Sequence, residues 1–269
     1  MAGHSHWAGI KHKKAAIDAK RGKVWSKLSR AIIVAAKMGG ADPDTNLKLR
    51  YAINDAKAVS MPKDNIERAI KKGAGDLDGD NYEEVLYEGM GPAGTAFMVE
   101  ILTDNRNRTA PEVRKIFEVC GGNMGVSGCA AWMFERKGLV VLSANQDGAA
   151  EQTGDGGEAK TLDEETLMEL ALESGADDVR HVSSGEGAGA FEVVCEVEAF
   201  NDVVAAVDAA GYKPESQSIT YLAKDPVAVG SGDAAKVLKL MEKLDDHDDV
   251  QAVSSNFAID ESVLAEIEG

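Results

Sequence analysis

Residues 73–80, GAGDLDGD, mark the point at which the chain changes character. Glycine and aspartate at that density interrupt regular structure and read as a connection between elements. Before it, apolar residues recur at helical spacing; after it they take the spacing of strands. The charge changes sign at the same place. Residues 1–75 hold sixteen Lys and Arg against six Asp and Glu, a net +10. Residues 76–269 hold thirteen against forty, a net −27, and together these make the −17 of the whole chain. A cationic helical head on an acidic α/β body predicts a module for polyanions on a carrier that resists non-specific association.

Upstream of the linker, residues 10–73 read as helical throughout. Between Gly22 and the Gly39-Gly40 stop, Trp25, Leu28, Ile32 and Ala35 fall on one side of a helix. Lys23, Lys27, Arg30 and Lys37 fall within roughly an 80° arc on the other, with Ile33 and Val34 in or near that arc. A second helix is expected over Leu47–Val59. A third starts at Pro62, carries Asp64 in its first turn and Lys71-Lys72 in its last, and is expected to stop at Gly73, an order that suits the helix dipole.

Downstream, Tyr82–Glu88 and Thr95–Thr103 read as strands joined by the turn Gly89–Gly94. Thr109–Glu112 has the form of a capping box opening a helix, and Ala130–Phe134 reads as a further strand. Residues 138–224 then give strand (Gly138–Ser143), helix (Asp163–Ser174), strand (Asp178–Ser183), strand (Phe191–Val197), helix (Phe200–Ala210) and strand (Glu215–Leu222). That order is a ferredoxin-like βαββαβ unit. A helix over Ala234–Leu244 and a strand over Val250–Ile259 have no domain of their own. They complete the layer begun at residue 82 if 138–224 is an insertion within it. Gly148–Lys160, rich in glycine and acid, reads as a mobile surface loop. The expected fold class is α+β: a basic helical domain over 1–76, an α/β domain over 77–134 plus 225–269, and an inserted domain over 135–224.

Composition narrows the classes of function. With 44% apolar and 28% charged residues, the chain is ordinary globular protein. Its three cysteines, Cys120, Cys129 and Cys195, form no CxxC pair, which predicts a reducing compartment and no thiolate zinc site. No apolar run has a membrane span's length, and the N-terminus lacks the apolar core of a secretory signal, so a cytoplasmic location is expected.

The candidate site is the basic stretch. Lys11, Lys13, Lys14, Lys20, Arg21, Lys23, Lys27 and Arg30 crowd together beside His6, His12 and Trp7. Such clusters bind phosphate backbones by charge neutralisation and counterion release, and an aromatic can stack on an unpaired base. Trp7 reads equally as that stacking group or as a staple on the helical core. His4, His6 and His12 lack a nearby carboxylate or thiol and sit among lysines, so no metal is expected there. Asp104–Arg108, DNRNR, joins a strand end to a helix start, where free N–H groups with Arg106 and Arg108 would favour an anion. The alternative is that these arginines pair with local acids. Gly89, Gly91 and Gly94 spell G-x-G-x-x-G but precede a strand rather than a helix, and GGNMGVSG (121–128) lacks the Lys-Ser/Thr of a P-loop. Neither reads as a nucleotide site. Asp245, Asp246, Asp248 and Asp249 around His247 do not fit an EF-hand and read as a solvated turn. No nucleophile–base pairing stands out, so no enzyme and no cofactor are expected.

Several longer strings carry a resemblance: MAGHSHWAGIKHKKAAIDAKRGK (1–23), MGGADPD (38–44), MPKDNIERAIKKG (61–73), YEGMGPAG (87–94), TDNRNRTAPEVRKIF (103–117), SGCAAWMFERKG (127–138) and LDDHDDVQAVSSNF (244–257). Together they closely resemble the bacterial YebC/PmpR family, whose mitochondrial relatives are translational activators of a cytochrome oxidase subunit. The likeness runs nearly end to end and is weakest over 144–190. Met90 departs from the family's usual tyrosine, and Ser254-Ser255 stand where a Tyr-His pair is usual. The MAGHS start looks bacterial rather than mitochondrial. The resemblance implies a helical domain and two ferredoxin-like domains, the last inserted in the second. It implies either a ribosome-associated translation factor that relieves stalling or a DNA-binding transcriptional regulator. The family's basic motif maps onto Lys11–Lys27 and its DNRNR loop onto Asp104–Arg108. The expected partners are ribosomal or transfer RNA and the ribosome, alternatively DNA, with no membrane and a monomer as the starting assumption.

Overall fold

The computed structural model describes residues 17–75, 82–144, 163–182, 189–260 and 262–263. The protein is mixed α and β, with a helical N-terminal region followed by sheet-containing regions. Three helices come first: α1 (Ile17–Gly39), α2 (Leu47–Ala58) and α3 (Lys63–Ala74). Their shared core includes Ile32, Ala35, Leu49, Ala56 and Ile66, with Trp25 and Leu28 packed at its edge. Asn46 ties α1 to α2. Its side-chain oxygen accepts from Leu49 N–H at 3.1 Å as an N-cap, while its amide donates to the carbonyls of Ala35 and Gly40, both at 2.8 Å. One polar side chain thereby satisfies the end of one helix and the start of the next.

The third helix does not stop at Gly73. It continues to Ala74, and Gly75 closes it in the left-handed conformation, φ 87°. Gly73 serves packing instead: a Cβ there would stand 2.7 Å from the Ala36 Cβ and closer still to the Ile33 carbonyl of α1. Ile33 and Val34 are also buried, because α1 packs against α2 and α3 on one side and meets the sheet on another. The arc read as cationic is therefore partly an interior face.

Beyond residue 81 an antiparallel hairpin, β1 (Glu83–Met90) and β2 (Ala96–Thr103), turns through a short 3-10 segment at Pro92–Gly94. The sheet runs β3-β1-β2-β9, with β3 at Asn123–Met124 and β9 at Val250–Ser255. The inner strand β2 is buried except at Glu100, as its largely apolar sequence AFMVEIL suits. Helices α4 (Arg106–Val119) and α7 (Ser231–Asp245) pack on each other, with Phe117 edge-on to Phe97 of β2 at 5.9 Å. Helix α4 starts before the expected capping box: Asn105 is its N-cap, accepting from Arg108 N–H at 3.2 Å. Thr109 lies inside the first turns and is buried.

Ala130–Phe134 is not a strand. Glu88 of β1, 5% exposed, accepts the N–H groups of Gly128 at 2.7 Å and of Ala130 and Ala131 at 2.8 Å. With those donors consumed inside a loop, no ladder forms. Residues Ala131–Met133 make a 3-10 turn ahead of β4 (Phe134–Ser143). The expected strand Val250–Ile259 also divides, because Asn256 turns its side chain onto Ala96 N–H at 2.7 Å. The residues beyond it, β10 (Phe257–Ala258), pair in parallel with β8 (Val227–Ala228).

The chain separates into two compact units, residues 135–222 and, among the rest, 17–134 with 223–263. The helical region and the first sheet thus cluster together. The second unit contains α5 (Glu164–Glu173), β5 (Ala176–Val182), β6 (Ala190–Cys195), α6 (Phe200–Ala209) and β7 (Pro214–Ala223), with sheet order β5-β6-β4-β7. Its core includes Val140, Leu142, Leu167, Val193, Phe200 and Val203. Asp163 caps α5 through Thr166 N–H at 3.1 Å. Residues 148–160, expected as a loop, lie outside the described residues. Among the described residues no helix is long and apolar enough to cross a membrane.

Candidate nucleic-acid interface

Lys23, Lys27 and Arg30 succeed one another at i, i+4 and i+7, so α1 presents them as one stripe. The stripe meets the end of α7. A helix's last carbonyls have no intrahelical N–H partner, and its dipole makes that end negative. Helix α7 ends at Asp245 with Asp246 as C-cap, so acidic side chains add to an already negative terminus. Lys23 Nζ donates to the Asp246 carbonyl at 3.3 Å. Lys27 Nζ donates to the Asp245 carbonyl and stands 3.9 Å from its carboxylate. The Arg30 guanidinium donates to the Asp248 carbonyl and lies 3.7 Å from the Asp249 carboxylate. Three side chains read as phosphate ligands are thus engaged with oxygens of the protein itself. The turn read as solvated is their partner.

Asp249 is the hub of this junction. It is 4% exposed, and one carboxylate oxygen accepts from Arg108 at 2.7 Å, Thr109 Oγ1 at 2.7 Å and Thr103 Oγ1 at 3.2 Å. Burial alone would raise its pKa. The hydrogen bonds from Arg108 and Thr109, with the charges of Arg108 and Arg30, outweigh that and hold it below the usual carboxylate range. Arg108 also binds Asp104 at 2.9 Å, and the two acids raise its already high pKa further. His247 braces the turn. Its Nδ1 must accept, since Asp249 N–H donates to it at 3.2 Å, so its proton sits on Nε2, 3.1 Å from Glu112. End of β2, start of α4, end of α7 and flank of α1 converge on one carboxylate.

Both DNRNR arginines face acids, one of them distant in the sequence. Arg108 is turned onto Asp249 and Asp104, and Arg106, exposed, lies 3.8 Å from Glu83. His6, Trp7, Lys11, His12, Lys13 and Lys14 lie outside the described residues, and for Lys20 and Arg21 only the helical backbone of α1 is described. Asp249, Thr103 and Thr109 were absent from the expected site. A signal for Asp249 exists: an acidic run and a cationic helical stripe in one chain.

The signature of the TACO1/YebC protein N-terminal domain matches residues 5–76, and that of the TACO1/YebC second and third domain matches residues 82–257. A probable transcriptional regulatory protein of Rhodopirellula baltica is 55% identical over 95% of this chain and 96% of its own length. One from Desulfatibacillum aliphaticivorans is 50% identical over 99% of this chain and 100% of its own. The crystal structure of a conserved hypothetical protein from Aquifex aeolicus superposes with a TM-score of 0.81 at 45% identity, covering 96% of this chain and 98% of that one.

Proposed function

The chain belongs to the TACO1/YebC family, and on that premise we propose that it is a non-enzymatic, nucleic-acid-binding regulator of gene expression. Its role in this reading is that of a cytoplasmic, ribosome-associated translation factor that contacts RNA and relieves stalled elongation. The observation that carries the reading is the division of charge, +10 over residues 1–75 against −27 over the remainder. A cationic head grips phosphate, and an acidic body discourages attachment elsewhere. With Lys23, Lys27 and Arg30 engaged at α7, the first grip falls to Lys11, Lys13, Lys14, Lys20 and Arg21. The mechanism is positional: RNA and peptide geometry are held so that the ribosome's own centre completes a slow bond. We read the architecture as three domains, 1–76, 77–134 with 225–269, and 135–224, the last a ferredoxin-like insertion.

The second reading, a DNA-binding transcriptional regulator, is favoured by the names of the relatives. It would use the same cations on duplex phosphate. The test replaces Lys11, Lys13, Lys14 and Arg21 by Glu and follows co-sedimentation with ribosomes. The translation reading expects the wild type to sediment with ribosomes and the variant to stay in the supernatant. Sequence-selective duplex binding that survives competitor and moderate salt, without ribosome association, establishes the transcriptional reading instead.

A further inference from the structure

The end of α7 offers α1 an analogue of what a nucleic-acid backbone would offer: closely spaced acceptor carbonyls at a negative helix end, with carboxylates beside them, at the reach of Lys and Arg. We propose that the Asp245–Asp249 turn is an internal substitute for phosphate. Nucleic acid then recruits Lys23, Lys27 and Arg30 only by displacing the turn. This rests on the nucleic-acid reading and adds to it a competitor built into the fold.

Two features of the junction fit an exchangeable contact rather than a permanent one. The α1 donors engage the turn mainly through its backbone. Their hydrogen bonds go to main-chain carbonyls, while the carboxylates of Asp245 and Asp249 stand off at 3.9 and 3.7 Å. Arg108, by contrast, meets Asp249 at 2.7 Å, and Thr103, Thr109 and the His247 brace complete the set. Removing α1 therefore leaves the turn with its own partners, so acceptor and donor surfaces both survive separation. Helix α1 is likewise secured to its own helical neighbours without the turn, through Asn46 and through Trp25 Nε1 donating to the Val59 carbonyl at 3.3 Å. The competitor sets a threshold. Dense polyphosphate, which releases many counterions at once, displaces the turn, whereas an isolated short strand does not.

The test is a zero-length carbodiimide cross-link between Lys27 Nζ and the Asp245 carboxylate, read by peptide mass spectrometry on the full-length protein with and without purified ribosomal RNA. The link should form in the free protein and fall by about fivefold or more once RNA saturates the cationic head. In parallel, the Asp245→Asn/Asp248→Asn variant should bind the same RNA about three- to tenfold more tightly at low salt, since a weaker competitor leaves more of the intrinsic affinity. Undiminished linking while RNA is demonstrably bound overturns the competitor and leaves the nucleic-acid reading intact. So does unchanged affinity in a variant whose circular dichroism matches wild type. Failure of both proteins to bind any RNA overturns this inference together with the RNA reading.

Discussion

Glu88 and Asp249 are both buried acids whose pKa is held low, yet they are satisfied in different ways. Glu88 receives backbone N–H groups from a single loop, about forty residues along the chain. Burial pushes its pKa up, and the N–H groups of Gly128, Ala130 and Ala131 bring it down past the ordinary value. Asp249 receives a guanidinium and two hydroxyls from β2 and α4, with Arg30 of α1 close by. The first arrangement uses fixed dipoles and shapes a loop. The second uses mobile side chains and joins elements that the sequence keeps far apart. Dipoles of the main chain cannot be mutated away or displaced by a ligand's charge, while side-chain cations can.

Substitutions can break that contrast, in order of expected size. Asp249→Ala leaves Arg108 and Arg30 without their shared acid and should lower stability by about 3–5 kcal/mol in chemical denaturation followed by tryptophan fluorescence. A loss below about 1 kcal/mol would refute the hub. Asp55 sharpens the contrast from the other side, because burial lifts its pKa to about 6. Its carboxyl is protonated in the fold while already ionised in the unfolded chain between about pH 4 and 6, so stability falls as pH rises through that window. Asp55→Asn should therefore stabilise by about 2–3 kcal/mol above pH 6 and make little difference below pH 4.

Glu88→Gln keeps one acceptor and points an amide at N–H donors, at a cost of about 1–2 kcal/mol. Raising salt to about half molar should narrow the Asp249→Ala difference and leave the Glu88→Gln difference nearly unchanged, because only the former involves partly exposed ionic partners. Both wild-type carboxylates have depressed pKa values, so their contributions are complete above the unfolded carboxylate range and fade as pH drops through their folded values. Lys63→Ala, removing an exposed pair with Glu67 at 3.7 Å, should stay within about 0.5 kcal/mol.

Elements with local causes were legible in the sequence. The helical spacing of α1 to α3, the aspartate cap of α5 and the apolar run of β2 each follow from residues a few positions apart. The failures have distant causes. Thr109 looked like a cap because Glu112 follows it three residues on, but Asn105 already capped the helix and Asp249 claimed the Thr109 hydroxyl across 140 residues. AAWMF at 130–134 looked like a strand because nothing near it shows that Glu88 takes its N–H groups. The cationic stripe of α1 is visible in the sequence but its partner is not, since the contact spans 218 residues between Lys27 and Asp245. Periodicity reports which face of a helix is charged and is silent on what that face touches.

Gly73 carries a consequence for anyone altering this protein. Because α3 rests directly on the main chain of α1 at Ile33, even an alanine would act as a wedge, tilting one helix off the other. A glycine that looks like a helix terminator, and so like an inviting target for helix-strengthening substitution, is the seat on which the pair is mounted.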